Sequence, residues 1–529
     1  MRANRWKLQY TIPAAITVLV AVLLTSIAVA QSSPFSSELT KGPYRAGFET
    51  IERFDYSRVF RDRYDYDGNP REGETARPIQ ICVWYPAVEN DDAQPTVYGE
   101  YAFPAPGDSR FYPFVSALQG RELGFLMTLF GGNRTLLMDM MNLPVAAFKN
   151  AGRAEGSFPV IIYHPDGHGS FAENAAMCEV LASNGFIVAT SHAFGATDIE
   201  VNRNLADLEA MVRDREFVFG FMRDYPHADP AHVAVMGTGL GGLSAMLMQM
   251  RNADIEAVAV INGAQASKSG AELATGFPFF EITRMDVPLL EMYISDDDSL
   301  DTEILDSLIY SQRMWFGMAG RGLIDFTQYA TAAALLADTT GELVQPASRF
   351  YGAICGAIVD FFEMFLKGES SATTIFADFS KEKYPNFGEV TFGSYEGQKP
   401  PPTEAQFLEM IQQDRVDRAI EIYEAFKKSR PGYVFFQEAT LNVAGYRLLQ
   451  ANQLERACMI FKMNTEAYPN SANVWDSYAD GCIANGDNQT AIMCYEKVLE
   501  VLPQDSAAGP GVREILLNNA TQGLEQLRK

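Results

Sequence analysis

Short apolar segments alternate with helix-forming segments over most of this 529-residue chain. Between residues 31 and 402, six segments are short, apolar and often β-branched, as buried strands are: IQICVWYP, FPVIIYH, FIVATS, HVAVMG, AVAVING and VPLLEMYIS. Segments such as AENAAMCEVLASNG and ADLEAMVRDREFVFGFMRD lie between several of them. This alternation predicts an α/β fold, in which a mostly parallel sheet is covered by helices on both faces. The stretch at about 100–155 predicts a helical insertion, either a cap over a site or a segment packed on the sheet edge.

The N-terminus has the pattern of a secretory signal. Arg2, Arg5 and Lys7 precede the uncharged run TIPAAITVLVAVLLTSIAVA, which ends in the small-x-small sequence AVA. This pattern predicts a signal peptide at 1–30, cut after Ala30. We therefore expect an exported, periplasmic or secreted protein without a stable membrane span. The alternative is an uncleaved N-terminal anchor, because the apolar run is close to the ~20 residues that span a bilayer.

The C-terminal quarter of the chain contains internal repeats. The motifs DRAIEIY, ERACMIF and QTAIMCY are each followed by a proline, and Ala457, Phe461 and Pro469 recur 34 positions later as Ala491, Tyr495 and Pro503. This register resembles tetratricopeptide repeats, which stack helix pairs into an array with a concave groove. The resemblance implies an all-α array at 403–529 that binds a peptide or protein partner. The alternative is a stabilising appendage.

Charge and cysteine content exclude several classes of function. The net charge of −25 makes nucleic acid an unlikely partner. Six cysteines in so long a chain do not predict a disulfide scaffold, and the alternative is one pair within the repeats. No cluster of Cys and His has the spacing of a metal site. Neither a metal nor another cofactor is therefore expected.

A glycine-rich turn follows the fourth predicted strand, in VAVMGTGLGGLSAM at residues 233–246. Together with ARPIQICVWYPA and FPVIIYHPDGHGSFAENAAMCEVLASNGFIVATSHAFG, it resembles the α/β-hydrolase family, in the branch of platelet-activating-factor acetylhydrolases and dienelactone hydrolases. The resemblance covers about residues 75–370. In that fold the nucleophilic serine lies on a strained strand-to-helix turn, G-x-S-x-G. Gly237 and Gly241 match the flanking glycines, and the position of the serine is Gly239.

The other members of the family's triad are also missing. In that fold the order along the chain is serine, acid, histidine. All five histidines precede Gly239: His164, His168, His192, His227 and His232. The resemblance places Leu323 at the position of the catalytic histidine. The acid position is either Asn262 or, after the next strand, Asp297 or Asp298. The resemblance therefore implies a degenerate triad and no catalytic residues.

Parts of the binding machinery are still expected. The backbone N–H of Leu240 and the loop with Gly167 and Gly169 correspond to the family's oxyanion hole. His164, His168 and His192 are expected to line the pocket or order its loops. Ser244 and Thr238 carry hydroxyl groups near the turn, and we interpret Ser244 as a packed helix residue and Thr238 as pointing away.

The sequence therefore predicts an exported, catalytically inactive α/β-hydrolase-like protein that acts through its repeats, with a residual pocket for an acyl or lipid-like ligand. The alternative is a carboxylesterase, lipase or acetylhydrolase with a non-standard catalytic set, because fold alone does not determine function.

Overall fold

The computed structural model describes residues 33, 35, 39, 41–90, 92–167, 170–338, 340–368, 382–413, 415–429 and 432–529. The predicted signal peptide and the positions of His168 and Gly169 lie outside these residues. The chain divides into two compact units between Lys399 and Pro400. The first is the α/β unit and the second is an all-helical unit.

The α/β unit is built on one large sheet. Among the described residues it has twelve strands: β1 (Arg45–Val59), β2 (Ala76–Val88), β3 (Gln94–Val97), β4 (Pro144–Lys149), β5 (Gly152–Arg153), β6 (Phe158–His164), β7 (Ile187–Ser191), β8 (Ala228–Thr238), β9 (Ile255–Ile261), β10 (Leu289–Ile294), β11 (Arg313–Met318) and β12 (Val390–Tyr395). Their order is β12-β11-β10-β9-β8-β6-β7-β2-β1-β4-β3, and β5 pairs with β2. The central run from β7 to β11 is parallel, whereas β2 pairs antiparallel with both β1 and β7. This is an α/β-hydrolase-like sheet, as predicted.

Helices cover both faces of the sheet. Ten are described in this unit: α1 (Tyr98–Ala102), α2 (Tyr112–Leu129), α3 (Arg134–Met141), α4 (Ala175–Ser183), α5 (Leu205–Met222), α6 (Gly239–Arg251), α7 (Lys268–Thr275), α8 (Glu303–Ser307), α9 (Gln328–Ala337) and α10 (Val344–Leu366). Successive strand residues alternate between two apolar cores, since neighbouring side chains point to opposite faces. Tyr163 and Met236 belong to the core with α4 and α10, whereas Ile162 and Val235 belong to the core with α5 and α6.

The predicted insertion at 100–155 is only partly helical. It contains most of α1 and all of α2 and α3, and then returns to the sheet as β4 and β5. Strand β4 pairs with β1, which had no clear apolar alternation in the sequence. The insertion is therefore joined to the sheet edge, while α2 also contributes side chains to the site described below.

The helical unit consists of α11 (Glu404–Gln412), α12 (Val416–Ser429), α13 (Glu438–Gln450), α14 (Leu454–Ala467), α15 (Ala472–Ala484), α16 (Asn488–Val501) and α17 (Pro510–Leu527). Helices α11/α12, α13/α14 and α15/α16 pack as pairs, and the first helices of successive pairs contact one another. Close packing needs small residues, because a Cβ at Gly445 would lie 2.5 Å from the ring of Phe461. No helix in the described parts of the chain is long and apolar enough to cross a membrane.

Candidate functional site

Strand β8 leads into α6 through the turn predicted to correspond to a nucleophile elbow. Gly239 has φ +53, a left-handed conformation that glycine adopts without steric cost. The flanking glycines are required by close backbone approach. A Cβ at Gly241 would lie 2.2 Å from the carbonyl oxygen of His164, and one at Gly237 would lie 2.4 Å from that of Gly241. The turn therefore has the shape of an elbow but presents no side chain at its apex.

The carboxylate of Asp166 occupies the space in front of Gly239. Asp166 lies on the loop after β6, and a Cβ built on Gly239 would be 2.5 Å from its Cγ and its Oδ1. The same Oδ1 accepts hydrogen bonds from the backbone N–H groups of Leu240, at 2.9 Å, and Gly167, at 2.7 Å. These are the two predicted oxyanion-hole donors that the structure describes. The chain's own carboxylate therefore fills the cradle, which binds an oxyanion in catalytic members of such folds.

A second carboxyl group, Glu173, lies buried behind this cradle. Its Oε1 accepts hydrogen bonds from the hydroxyl of Thr238, at 2.5 Å, the hydroxyl of Tyr163, at 2.8 Å, and the backbone N–H of Asp166, at 3.2 Å. Burial, and then the nearby charge of Asp166, raise the pKa of Glu173 to about 7. Thr238 therefore points into this network and away from the apex of the turn, as predicted from the sequence.

The insertion contributes a cation whose charge acts on these carboxyl groups. Arg121 on α2 donates hydrogen bonds to the backbone carbonyls of Ala193, at 3.0 Å, and Ile199, at 2.9 Å. Burial lowers the pKa of Arg121, while the charges of Asp166 and Glu173 are among those that oppose this shift. Helix α2 therefore adds positive charge to the site as well as apolar cover.

The structure brings His164 and Ser244 together. The Nδ1 of His164 lies 3.0 Å from the Oγ of Ser244, which is within the reach needed for a nucleophile–base pair. Both residues are buried, with side chains 1% and 0% exposed. Burial, and then the charge of Arg215, hold the pKa of His164 well below its usual range. A substrate carbonyl cannot reach Ser244 in this arrangement, so the pair acts as a hydrogen bond between β6 and α6.

His192 follows β7 at the same edge of the sheet. Its ring packs against Phe171, with centroids 4.7 Å apart, and neither ring nitrogen has a hydrogen-bond partner among the described residues. Burial, and then the charge of Arg121, lower the pKa of His192 to about 3, so the ring is neutral. Arg77 fixes the loop beyond it by donating to the carbonyl of Phe194 at 3.1 Å. His192 is therefore a buried, neutral residue next to a loop that Arg77 holds in place.

The remaining positions assigned by resemblance follow strands β9, β10 and β11. Asn262 lies directly after β9 with φ +47, and its backbone N–H donates to the carbonyl of Met292 at 2.6 Å. Leu323 follows β11 and is 68% exposed. Asp297 and Asp298 are exposed in the turn after β10, where Asp297 accepts from the hydroxyl and the N–H of Ser299.

Sequence reasoning missed Asp166, Glu173 and Arg121. One signal for Asp166 was available, because HPDGHG places an acidic residue in the loop assigned to the oxyanion hole. Nothing in the sequence marked Glu173 or Arg121, whose roles arise from contacts between distant segments. No group of His, Cys, Asp and Glu within the described residues could hold a metal ion.

Comparison with solved structures gives a likeness at low sequence identity. No known family profile and no curated protein matches the chain. A solved structure of ferulic acid esterase from Streptomyces cinnamoneus aligns over 66% of this chain and 96% of the esterase chain. The two are 17% identical, with a TM-score of 0.46. The interpretation of the site therefore depends on its own geometry.

Proposed function

We propose that this protein is an exported, non-catalytic member of the α/β-hydrolase-like folds, which acts by binding and not by hydrolysis. The observation that supports this most directly is the position of Asp166. Its carboxylate accepts from the N–H groups of Leu240 and Gly167 and lies where a side chain at residue 239 would have to be. A substrate oxyanion would have to displace a charged group held by two hydrogen bonds, and no nucleophile would then face the carbonyl.

Hydrolysis of short-chain p-nitrophenyl esters tests this proposal. We expect the purified protein to match the buffer blank and to resist labelling by a serine-directed fluorophosphonate. Loss of a nucleophile or its base lowers kcat by roughly 10⁶ in a well-studied serine hydrolase. Turnover far above the blank would contradict the proposal. Asp166→Ala and Ser244→Ala would then show which of these residues carries the activity, because only the responsible variant would lose it.

A binding role through the helical unit is supported by an apolar groove. The groove has a volume of about 560 Å³ and is lined by Leu408 and Ile411 of α11 together with Val443 and Leu448 of α13. Val443 is 51% exposed, although it is apolar. Arg447 is the only charged residue among those that line the groove. An extended peptide with apolar side chains and a carboxylate has the matching chemistry.

Selection from a displayed library of random peptides, with the full chain as bait, tests the groove. We expect enrichment of apolar peptides that carry a carboxylate. Val443→Asp should weaken the selected peptides by at least about tenfold, because it places a charge in the apolar surface. Val512→Asp is the matched control, since Val512 is similarly exposed at 46% but is not part of the groove. Equal loss in both variants, or no enrichment, would contradict a peptide-binding groove.

The Asp166 carboxylate limits where a small ligand could bind. A neutral acyl oxygen competes poorly with an intramolecular carboxylate for the same two N–H groups, because hydrogen bonds to charged groups are stronger. An acyl or lipid-like ligand would therefore have to bind beside Asp166, near His192 and Arg121, and not in the cradle itself.

A further inference from the structure

Three cysteines meet where successive helices of the helical unit pack together. Cys458 lies on α14, Cys482 on α15 and Cys494 on α16. The sulfur atoms of Cys458 and Cys482 are 3.5 Å apart, which is van der Waals contact, and the neighbouring side chain of Cys494 raises the pKa of Cys482. All three are free thiols.

The packing of the two helices explains why the thiols approach each other. Gly481 precedes Cys482 on α15, and a Cβ at Gly481 would lie 2.7 Å from the ring of Phe461 and 3.7 Å from the Cα of Cys458. The backbones of α14 and α15 are therefore close at this level. A disulfide has an S–S length of about 2.05 Å, so the two sulfur atoms need to move together by only about 1.5 Å.

We propose that Cys458 and Cys482 form a site of reversible oxidation. A small-molecule disulfide such as oxidised glutathione oxidises the two thiols, and the resulting Cys458–Cys482 disulfide links α14 to α15. In the first step the Cys458 thiolate attacks one sulfur of the small-molecule disulfide, which releases one thiolate and leaves a mixed disulfide on Cys458. In the second step the Cys482 thiolate attacks the Cys458 sulfur and releases the second thiolate. Two cysteine thiols are thus oxidised to one disulfide, and one external disulfide is reduced to two thiols.

The order of the two steps follows from accessibility. Cys458 is partly exposed, whereas Cys482 and Cys494 are 1% and 0% exposed, so the external disulfide meets Cys458 first. Burial raises the pKa of Cys458 to about 12. Because the thiolate is the nucleophile, the first step should be slow at pH 7 and accelerate about tenfold for each unit by which the pH rises.

The Cys458–Cys482 disulfide would join two neighbouring helix pairs covalently. Cys458 belongs to the pair α13/α14 and Cys482 to the pair α15/α16. A disulfide between them closes a loop that contains the turn between the pairs, which restricts the unfolded chain and stabilises the folded array. This inference concerns the helical unit alone and does not depend on whether the α/β unit is catalytic.

Oxidation of the full chain with oxidised glutathione, followed by alkylation and tryptic mass mapping, tests the proposal. Trypsin cuts after Lys462, so Cys458 separates from the peptide that carries Cys482 and Cys494. We expect a cross-link between these peptides with Cys494 alkylated, and a rise of about 5–10 °C in the melting transition of the helical unit that dithiothreitol reverses. Cys494→Ser should retain both effects, and Cys458→Ser and Cys458→Ala should abolish both.

Three results would overturn the inference. A glutathione adduct that persists on Cys458 would show that Cys482 cannot reach it. A linkage between Cys482 and Cys494, which stays within one tryptic peptide, would show that the wrong pair reacts. Complete alkylation of all three cysteines after prolonged oxidation at pH 8.5 would show that the site is inert.

Discussion

Gly239→Ser should lower the free energy of unfolding by about 2–4 kcal/mol. Two costs combine in this estimate. A side chain at φ +53 is strained by roughly 1–2 kcal/mol. The new Cβ would also lie 2.5 Å from the Cγ of Asp166, so the carboxylate must leave the N–H groups of Leu240 and Gly167. Hydrogen bonds to charged groups contribute about 1.5–3 kcal/mol each, part of which water restores.

Gly131→Ser is the matched control for this substitution. Gly131 has φ +58, and a Cβ there would meet no atom within 4 Å. Gly131→Ser should therefore lower the free energy of unfolding only by the cost of backbone strain, about 1–2 kcal/mol. Urea denaturation of both variants measures the difference. Equal losses in the two variants would mean that Asp166 does not occupy the space in front of Gly239.

A serine at residue 239 should also fail to produce hydrolysis. All five histidines precede this position in the sequence, so no later histidine could act as its base. We therefore expect Gly239→Ser to remain at the buffer blank with p-nitrophenyl esters. The variant would thus be less stable than the wild type and would gain no hydrolytic activity. This result would distinguish a turn whose space is occupied by Asp166 from a turn that lacks only a serine.

The sheet could be predicted because its central strands are buried on both faces. Each of the six apolar segments identified in the sequence forms a strand, β2 or one of β6 to β10. Strand β1 was missed because two-thirds of its residues are partly buried or exposed, and its sequence, RAGFETIERFDYSRV, mixes charged and apolar residues. Strand β11 was missed because RMWFGM is short and lies in a stretch interpreted by resemblance. Apolar runs in the sequence identify central strands, whereas strands nearer the edge of the sheet form mainly because a neighbouring strand pairs with them.

The lack of a serine at residue 239 could be read from the sequence, but the position of the Asp166 carboxylate in front of it could not. The absence of a histidine after residue 232 needs no structure. The position of the Asp166 carboxylate depends on the conformation of one loop and on the lack of a side chain at Gly239. Glu173 and Arg121 reach the site from a short 3₁₀ turn before α4 and from the insertion. Such contacts between distant segments leave no periodic pattern in the chain.

Glu173→Gln should make the protein more stable than the wild type at pH 8 by about 2–3 kcal/mol, and about equally stable at pH 4.5. Burial and the charge of Asp166 raise the pKa of Glu173 from 4.5 to about 7. Between pH 4.5 and about 7, the Glu173 carboxyl group is therefore protonated in the folded state and ionised in the unfolded state. The contribution of Glu173 to the free energy of unfolding is fully present below about pH 4.5 and is lost as the pH rises through about 7. Glutamine keeps an oxygen that accepts from Thr238 and Tyr163, but it cannot ionise.

The pH dependence of unfolding in the two proteins measures this difference. Glu179 and Glu291, whose pKa values burial also raises to about 7, contribute equally to both proteins and cancel. Glu155→Gln is the control, because it makes the same substitution at an exposed residue. Parallel curves for the wild type and Glu173→Gln would show that Glu173 does not titrate in this range. The charge of Asp166 is the second cause of the raised pKa of Glu173. Asp166→Asn should therefore make the stability of the protein depend less steeply on pH, which would show that Asp166 affects the protonation of Glu173.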